Sequence, residues 1–124
     1  MNKTFHFGII GAGMIAEKHI LGLQKTGRTK IDWVVRKDGS KLMEFQRKYQ
    51  IPFGTVNYHE MLADPGIDAV VITSPPKYHY QMFMDAVAAG KHILLEKPAA
   101  IERKHLDEMV KAAEAHPELI ISDC

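Results

Sequence analysis

Cysteine is almost absent from this chain: Cys124, the last of its 124 residues, is the only one. A lone cysteine cannot form an intramolecular disulfide, which excludes the disulfide-rich secreted scaffolds and fits a reducing compartment. Residues 1–4 lack the apolar core of a signal peptide, and no apolar run approaches the roughly 20 residues of a membrane span. We therefore expect a cytoplasmic protein with no membrane partner.

An excess of either charge is also missing. Sixteen Lys and Arg against fifteen Asp and Glu leave a formal net charge of +1, a field too weak to predict nucleic acid as a partner. The seven histidines show no metal-ligand spacing, so no metal site is expected. With 46% hydrophobic and 25% charged residues, the composition is that of a globular protein. The length predicts a single domain over residues 1–124.

What the chain does contain is an alternation of short apolar runs with segments of helical period, which predicts βαβ units and a parallel sheet. The strands are predicted at about 5–10, 31–35, 52–56, 68–73, 92–95 and 119–122. The helices are predicted at about 14–25, 42–49, 59–63, 77–89 and 102–115, with Ser40 as an N-cap and Gly90 as a C-cap. The fold class is therefore α/β: a doubly wound, mostly parallel six-stranded Rossmann sheet of order 3-2-1-4-5-6, with helices on both faces.

A glycine-rich turn joins the first strand to the first helix: Gly11-Ala12-Gly13-Met14-Ile15-Ala16, a G-x-G-x-x-A pattern. The first glycine permits a tight turn, the second lets the backbone approach a pyrophosphate, and the alanine allows close packing of helix on strand. The flanking strand and helix favour a dinucleotide site over a plain structural turn. A nucleoside site of the methyltransferase type is the competing interpretation.

The second strand ends at Arg36 and Lys37, about 20 residues after Ala16. An acidic residue at this position would bind the ribose hydroxyls of NAD, whereas the planar fork of arginine suits a 2′-phosphate and can stack on adenine. The position favours NADP, with NAD as the alternative. Two other interpretations stay open: a solvated basic turn, and a loop shift that brings the Asp38 carboxylate to the ribose.

The fifth strand ends in Glu96-Lys97-Pro98, on the rim of the predicted ligand crevice. A lysine there can hydrogen-bond a substrate hydroxyl or the nicotinamide ribose and can stabilise developing negative charge. Glu96 and Lys97 could equally be an exposed charge pair before a proline turn. Spacing alone does not decide between these two interpretations.

Three segments together resemble the amino-terminal domain of the glucose–fructose oxidoreductase / inositol dehydrogenase (Gfo/Idh/MocA) family. They are the glycine turn, the run Asp68–Pro76 with His79, and Ala89-Gly90-Lys91-His92-Ile93-Leu94-Leu95-Glu96-Lys97-Pro98. The resemblance spans essentially the whole chain. It implies an NAD(P)-dependent oxidoreductase acting on CH–OH groups, with a sugar, cyclitol or related polyol as substrate.

The resemblance also implies roles for individual residues. Lys97 would be the catalytic lysine near the reacting carbon and the nicotinamide, and residues 74–76 and His79 would line the ribose side of the cofactor. His79 could instead pack or make a local hydrogen bond in the first turn of its helix. The residues predicted to bind the cofactor are Gly11, Ala12, Gly13, Met14, Ile15, Arg36, Lys37, Thr73, Ser74, Pro75, Pro76, His79, Glu96 and Lys97.

The chain departs from this family in two ways. Arg36 replaces the common acid, and the family's carboxyl-terminal α+β domain, which supplies the substrate pocket, does not follow the sixth strand here. We therefore expect the chain alone to bind cofactor with little or no turnover, and its uncovered surfaces predict self-association into a homo-oligomer. The alternatives are a non-catalytic dinucleotide-binding module or sensor, and a truncated product with no independent role.

Overall fold

The computed structural model describes residues 4–11 and 13–123, apart from the side chain of Met14. Ala12, which the sequence places among the cofactor contacts, lies outside the described residues. Six strands form one sheet in the order β3-β2-β1-β4-β5-β6, and every neighbouring pair is parallel. This order confirms the predicted Rossmann topology. The strands are β1 Phe5–Ile10, β2 Thr29–Val35, β3 Phe53–Thr55, β4 Ala69–Ile72, β5 His92–Leu95 and β6 Ile121–Asp123.

Five α-helices and two short 3₁₀ turns connect the strands, and the helices cover both faces of the sheet. The helices are α1 Met14–Gln24, α2 Leu42–Tyr49, α3 Tyr58–Leu62, α4 His79–Ala88 and α5 Arg103–Ala115, and the turns are Gly39–Lys41 and Pro76–Tyr78. On one face α1 and α2 pack over Ile9, Val34 and Val71. On the other face α3, α4 and α5 pack over a separate core that includes Val70 and Ile72.

Strand β4 is buried from end to end. Each of its four residues is buried, and Val70, Val71 and Ile72 are fully so. Because side chains alternate along a strand, Val71 joins the core beneath α1 while its two neighbours join the core beneath α4. The uninterrupted apolar run Ala69-Val70-Val71-Ile72 is typical of a parallel strand covered by helices on both faces, in agreement with the predicted helices on both sides of the sheet.

The second helix begins differently from the prediction. Ser40 is not an N-cap, so that expectation is wrong: the Asp38 carboxylate accepts a hydrogen bond of 2.9 Å from the backbone N–H of Ser40. Asp38 thereby caps the 3₁₀ turn Gly39–Lys41, which leads into α2 without a side-chain cap at Lys41. Asp and Ser are both good caps, and the extra turn decides which one is used.

Gly90 ends α4 as predicted. Its φ of 76° lies in the left-handed region, where glycine carries no Cβ penalty. Its N–H donates to the Val87 carbonyl at 2.9 Å, and the N–H of Lys91 donates to the Ala86 carbonyl at 3.1 Å. This pair of bonds is a Schellman motif, and it returns the chain directly into β5.

Register brings the carboxyl ends of four strands to one edge of the sheet. Ile10 at the end of β1 is paired with Val35 on one side and with Ile72 on the other, and Ile72 is paired with Leu95. The residues that follow these strand ends are therefore neighbours in space. Within the part of the chain that the structure describes, no helix combines the length and the apolar character needed to cross a membrane.

Gly8 in β1 provides a test of this packing. A Cβ at Gly8 would lie 2.0 Å from the Sδ and 2.8 Å from the Cγ of Met61, a fully buried side chain of α3. We expect Gly8→Ala to lower the free energy of unfolding by about 1–3 kcal/mol, measured by denaturant titration, because the core is overpacked. In Gly8→Ala/Met61→Ala the two losses should not add, because the new methyl occupies space that Met61 vacates.

The matched control is Gly22→Ala. Gly22 is exposed on α1, and a Cβ there would meet no described atom within 4 Å. This substitution should raise the free energy of unfolding by about 0.5–1 kcal/mol through helix propensity. If Gly8→Ala and the parent protein have the same denaturant midpoint of unfolding, the close contact between β1 and α3 is contradicted.

Candidate functional site

A cleft of about 610 Å³ opens at the carboxyl edge of the sheet, and we call it the wide cleft. It lies where the strand order reverses between β1 and β4, which is where open α/β sheets bind ligands. Of the residues predicted to bind a cofactor, those that line it are Gly11, Gly13, Arg36, Lys37, Thr73, Ser74 and Pro75. Ile15, Pro76, His79, Glu96 and Lys97 do not line this cleft.

Gly11 forms the tight turn that the sequence pattern predicts. Its φ is +109°, and a Cβ would lie 2.3 Å from the Thr73 Oγ1 and 3.1 Å from the Thr73 carbonyl carbon. The turn is held by a bond of 2.8 Å from the Gly11 N–H to the Val35 carbonyl, and by one of 2.9 Å from Thr73 Oγ1 to the Ile10 carbonyl. Only glycine fits here, because both the backbone conformation and the neighbouring strand exclude a side chain.

Gly13 is a different case. It is the N-cap of α1 with extended backbone (φ −102°), and no side chain that the structure describes caps the helix there. A Cβ on Gly13 would meet no described atom within 4 Å. The start of α1 thus faces open space in the wide cleft, with its backbone amides available to an anion. Behind it, Ala16 is fully buried and lets α1 pack closely on the sheet.

Arg36 stands between two cavities. Its backbone N–H donates to the Thr55 carbonyl at 3.0 Å, which holds the end of β2 against β3. Its side chain lines both the wide cleft and a second cavity of about 320 Å³, which we call the helix cavity because α1 and α2 form it. The helix cavity is also lined by charges of both signs, those of Lys41, Lys48, Glu17 and Glu44, so the side whose described lining lacks carboxylates is that of the wide cleft.

Asp38 does not line either cavity. Its carboxylate is engaged by Ser40, and hydrogen bonding from that residue, followed by the charge of Arg36, lowers its pKa. An anionic, capping Asp38 is therefore held at the start of the 3₁₀ turn, and the end of β2 presents a cation to the cleft.

The outer wall of the wide cleft carries two more cations around one ring. The Lys37 Nζ donates to the Tyr78 hydroxyl at 3.2 Å, and the Lys77 Nζ lies 5.1 Å from the centre of the same ring. The hydrogen bond from Lys37 and the charges of both lysines lower the pKa of the Tyr78 hydroxyl. Among the described residues that line the wide cleft there are three cations and no carboxylate.

Sequence reasoning missed several residues of this cleft. Tyr58 lines it from α3, while its hydroxyl donates to the Asp85 carboxylate of α4. Burial and the neighbouring Asp85 raise the pKa of that hydroxyl, so it stays protonated and serves as a donor. Nothing in the sequence marks Tyr58, since the turn between β3 and α3 follows no motif. The other missed residues are Ile10, Val35, Val56, Lys77, Tyr78 and Met82.

The Glu-Lys-Pro turn follows β5, two strands away from β1. The Glu96 N–H donates to the Ile72 carbonyl at 3.0 Å, and its Oε2 lies 3.0 Å from the Nε2 of His19 on α1. Glu96 is half-buried and bonded to α1, so it does not form a simple exposed pair with Lys97. Lys97 itself is exposed, beyond the end of the wide cleft.

His79 lies beneath the cleft surface and is 1% exposed. Its Nδ1 is 2.9 Å from the Pro98 carbonyl oxygen, and its Nε2 is 2.6 Å from the Ser74 carbonyl oxygen. The ring therefore links the loop after β4 to the loop after β5. Within residues 4–11 and 13–123, no group of three His, Cys, Asp or Glu side chains is placed to hold a metal ion.

Comparison with known proteins agrees with this architecture. Residues 5–123 match the model of the GFO_IDH_MocA family, described as an oxidoreductase family with an NAD-binding Rossmann fold. An uncharacterized oxidoreductase of Bacillus subtilis, YrbE, is 34% identical over 116 residues, which cover 94% of this chain and 34% of the relative.

Two solved structures superpose closely on this chain. The NAD binding oxidoreductase from Klebsiella pneumoniae superposes with a TM-score of 0.91 at 27% identity, over 98% of this chain and 34% of that one. The myo-inositol 2-dehydrogenase from Lactobacillus plantarum superposes with a TM-score of 0.92 at 28% identity, over 98% of this chain and 36% of that one. The chain thus spans about a third of the length of its relatives, and it belongs to the Gfo/Idh/MocA oxidoreductase family as that family's NAD-binding Rossmann domain.

Proposed function

We propose that this chain binds NADP in preference to NAD, in an extended conformation across the carboxyl edge of the sheet. In this proposal it serves an enzyme that transfers hydride between nicotinamide and a polyol or sugar-like substrate. The observation that carries the preference is the position of Arg36, which lines two cavities where a ribose-binding acid is usual. The family description names NAD, so the choice of NADP rests on this chain's own charges.

The pyrophosphate fits the start of α1. Gly11 permits the tight turn, Gly13 leaves space that a Cβ would otherwise fill, and none of the described side chains caps the helix there. The N-terminal end of a helix favours an anion through its free amides and its dipole. Gly13, Met14 and Ile15 would bind the diphosphate through their backbone, and the exposed side chain of Ile15 has no direct part in this.

The adenosine end fits the wall of the wide cleft beside Arg36. Arginine binds a phosphate through two parallel hydrogen bonds and stacks on a planar ring. In the described lining of the wide cleft, three cations without a carboxylate favour a dianionic 2′-phosphate over a pair of neutral hydroxyls. Lys37 contributes its positive charge while its Nζ is hydrogen-bonded to Tyr78. The loop after β4 also lines the cleft, through Thr73, Ser74 and Pro75.

The nicotinamide end would extend toward β5 and Lys97. When bound, the cofactor supplies or accepts the hydride at its nicotinamide ring. Lys97 would hydrogen-bond the substrate oxygen and stabilise the negative charge that develops on it. Glu96 would hold the turn beside Lys97 in place through its bond to His19. Pro76 would border the nicotinamide end from the loop after β4. His79 would act on this end only indirectly, through the two loops that it contacts, because both of its ring nitrogens face backbone carbonyl oxygens.

The substrate class follows from the relatives, one of which is a myo-inositol 2-dehydrogenase. The chain covers only about a third of such proteins, and Lys97 is the single catalytic candidate within it. We propose that the isolated chain binds cofactor without turnover. Steady-state dehydrogenase activity from these 124 residues alone would contradict that.

Arg36→Ala tests the cofactor preference. Because a charge-assisted hydrogen bond contributes about 1.5–3 kcal/mol, we expect NADPH affinity to fall about 10- to 100-fold while NADH affinity changes little. Calorimetry with both dinucleotides measures this ratio. Arg28→Ala is the matched control, since Arg28 is exposed beside the opposite end of β2. Equal affinities of the parent chain for NADPH and NADH would overturn the NADP preference.

The two glycines of the turn should separate folding from binding. Gly11→Ala places a methyl group against Thr73 at positive φ, so we expect it to lower the unfolding midpoint strongly. Gly13→Ala leaves the fold unstrained but puts a methyl group where the pyrophosphate would approach. It should keep the parent's midpoint and weaken NADPH binding at least tenfold, as measured by fluorescence titration. Unchanged affinity in Gly13→Ala would place the pyrophosphate elsewhere.

Lys97 distinguishes an enzyme domain from a cofactor sensor. A chimera of this chain with the carboxyl-terminal domain of a polyol-active relative should oxidise that relative's substrate. Lys97→Ala should lower its kcat at least a hundredfold, a larger effect than the loss of about tenfold in NADPH affinity expected from one charged hydrogen bond. Lys104→Ala, on the exposed surface of α5, is the control. A chimera that keeps its full activity after Lys97→Ala would favour the sensor.

A further inference from the structure

The turn Glu96–Pro98 is held from both faces of the sheet. On the face covered by α1, the His19 Nε2 lies 3.0 Å from the Glu96 carboxylate. On the face covered by α4, the His79 Nδ1 lies 2.9 Å from the Pro98 carbonyl oxygen. Lys97 is the residue between these two attachment points, and it is the exposed one. The two residues that flank Lys97 are therefore each held by a histidine, Glu96 at its carboxylate and Pro98 at its carbonyl, while Lys97 itself is exposed.

His79 has surroundings that packing alone does not explain. It is 1% exposed, and each ring nitrogen faces a carbonyl oxygen, of Pro98 at 2.9 Å and of Ser74 at 2.6 Å. A neutral imidazole can donate to only one of them, whereas the doubly protonated ring donates to both. The doubly protonated ring thus bonds both the wall of the wide cleft and the Glu96–Pro98 turn, whereas the neutral ring bonds one of them and only contacts the other. An apolar residue could fill the same space but would leave these carbonyls without a donor.

The other described histidines show a different pattern. His6, His59, His105 and His116 lie near carboxylates on exposed or half-exposed surface, at 2.6, 3.8, 3.7 and 3.1 Å. Exposed pairs of this kind contribute little to stability. His92 accepts a bond of 2.9 Å from the Ile120 N–H at the opposite end of β5. Among the described residues, His19 and His79 are the two histidines that contact the Glu96–Pro98 turn.

We propose that His79 and His19 are positioning residues for Lys97. They hold the Glu96–Pro98 turn from opposite faces so that the Lys97 ammonium group meets the nicotinamide half of the bound dinucleotide. The inference rests on the proposed function for the location of the cofactor. It adds that neither histidine contacts the cofactor, and that both act through the backbone and carboxylate that flank Lys97.

The test separates the two halves of the cofactor. NADPH spans the whole site, whereas 2′,5′-ADP carries only the adenosine half, so the ratio of their affinities reports the nicotinamide half. In the 124-residue chain, Lys97→Ala should lower this ratio about tenfold, because a charged hydrogen bond is lost. His79→Leu should lower the ratio about fivefold and His19→Leu about threefold. In the double variant Lys97→Ala/His79→Leu the loss should be no larger than in Lys97→Ala.

Conservative variants and a matched control keep the result interpretable. His79→Gln retains an amide donor and should recover at least half of the lost ratio, on a logarithmic scale. Affinity for 2′,5′-ADP within about twofold of the parent shows that each variant is folded. His92→Leu makes the same change at the other end of β5 and should leave the ratio unchanged.

Two kinds of result would overturn the inference. His79→Leu could lower the affinities for NADPH and 2′,5′-ADP by the same factor, or its effect could add in full to that of Lys97→Ala. In either case the histidine has only a structural role, and the proposed cofactor site is unaffected. If Lys97→Ala leaves the ratio unchanged, or the parent chain binds neither ligand, the proposed function fails and this inference fails with it.

Discussion

The approach of the turn after β1 to the end of β4 is the contact on which the site depends. Gly11 lies so close to Thr73 that a Cβ would be 2.3 Å from its hydroxyl. Two hydrogen bonds, from Gly11 to Val35 and from Thr73 to Ile10, tie the ends of three strands together at this point. The wide cleft exists because these strand ends meet while the helices after β1 and β4 leave on opposite faces.

Charge is distributed unevenly on the scaffold although the chain as a whole is nearly neutral. The described lining of the wide cleft has Arg36, Lys37 and Lys77 and no carboxylate. The carboxylates nearby are engaged elsewhere: Asp38 caps a turn and Asp85 accepts from Tyr58. The field suited to an anion therefore comes from where the charges lie, with cations in the described lining and these acids outside it, and total composition carries no sign of it.

The Glu96–Pro98 turn is contacted by side chains remote in sequence. His19 and His79 reach the turn from α1 and α4, across separations of 77 and 19 residues. Burial strengthens the link made by His79, because a buried polar ring that lost its partners would carry the full cost of desolvation. An exposed lysine with a fixed backbone is suited to a reaction in which the position of one ammonium group matters.

Local chemistry in the sequence was sufficient to predict the architecture. Apolar runs and helical periods predicted the six parallel strands and their order, Gly11 the tight turn, and Gly90 the end of α4, because each depends on residues adjacent in the chain. The lining of the wide cleft was predicted only where a motif marks it, so Tyr58 and Tyr78 were missed. The cap at Asp38 differed from the expected Ser40 because an extra 3₁₀ turn, invisible to periodicity, precedes α2.

What only the tertiary structure decided is which side chains meet across the sheet. The sequence places His79 in the first turn of a helix and Glu96 beside a lysine, and it cannot show that one is buried between two carbonyls or that the other faces His19. These contacts depend on register and on which face each helix covers. The sequence by itself determined which segments form helices and strands and where most of them end, because these depend on residues that are neighbours along the chain. Packing determined the connections of the site, because those join residues that are adjacent only after folding.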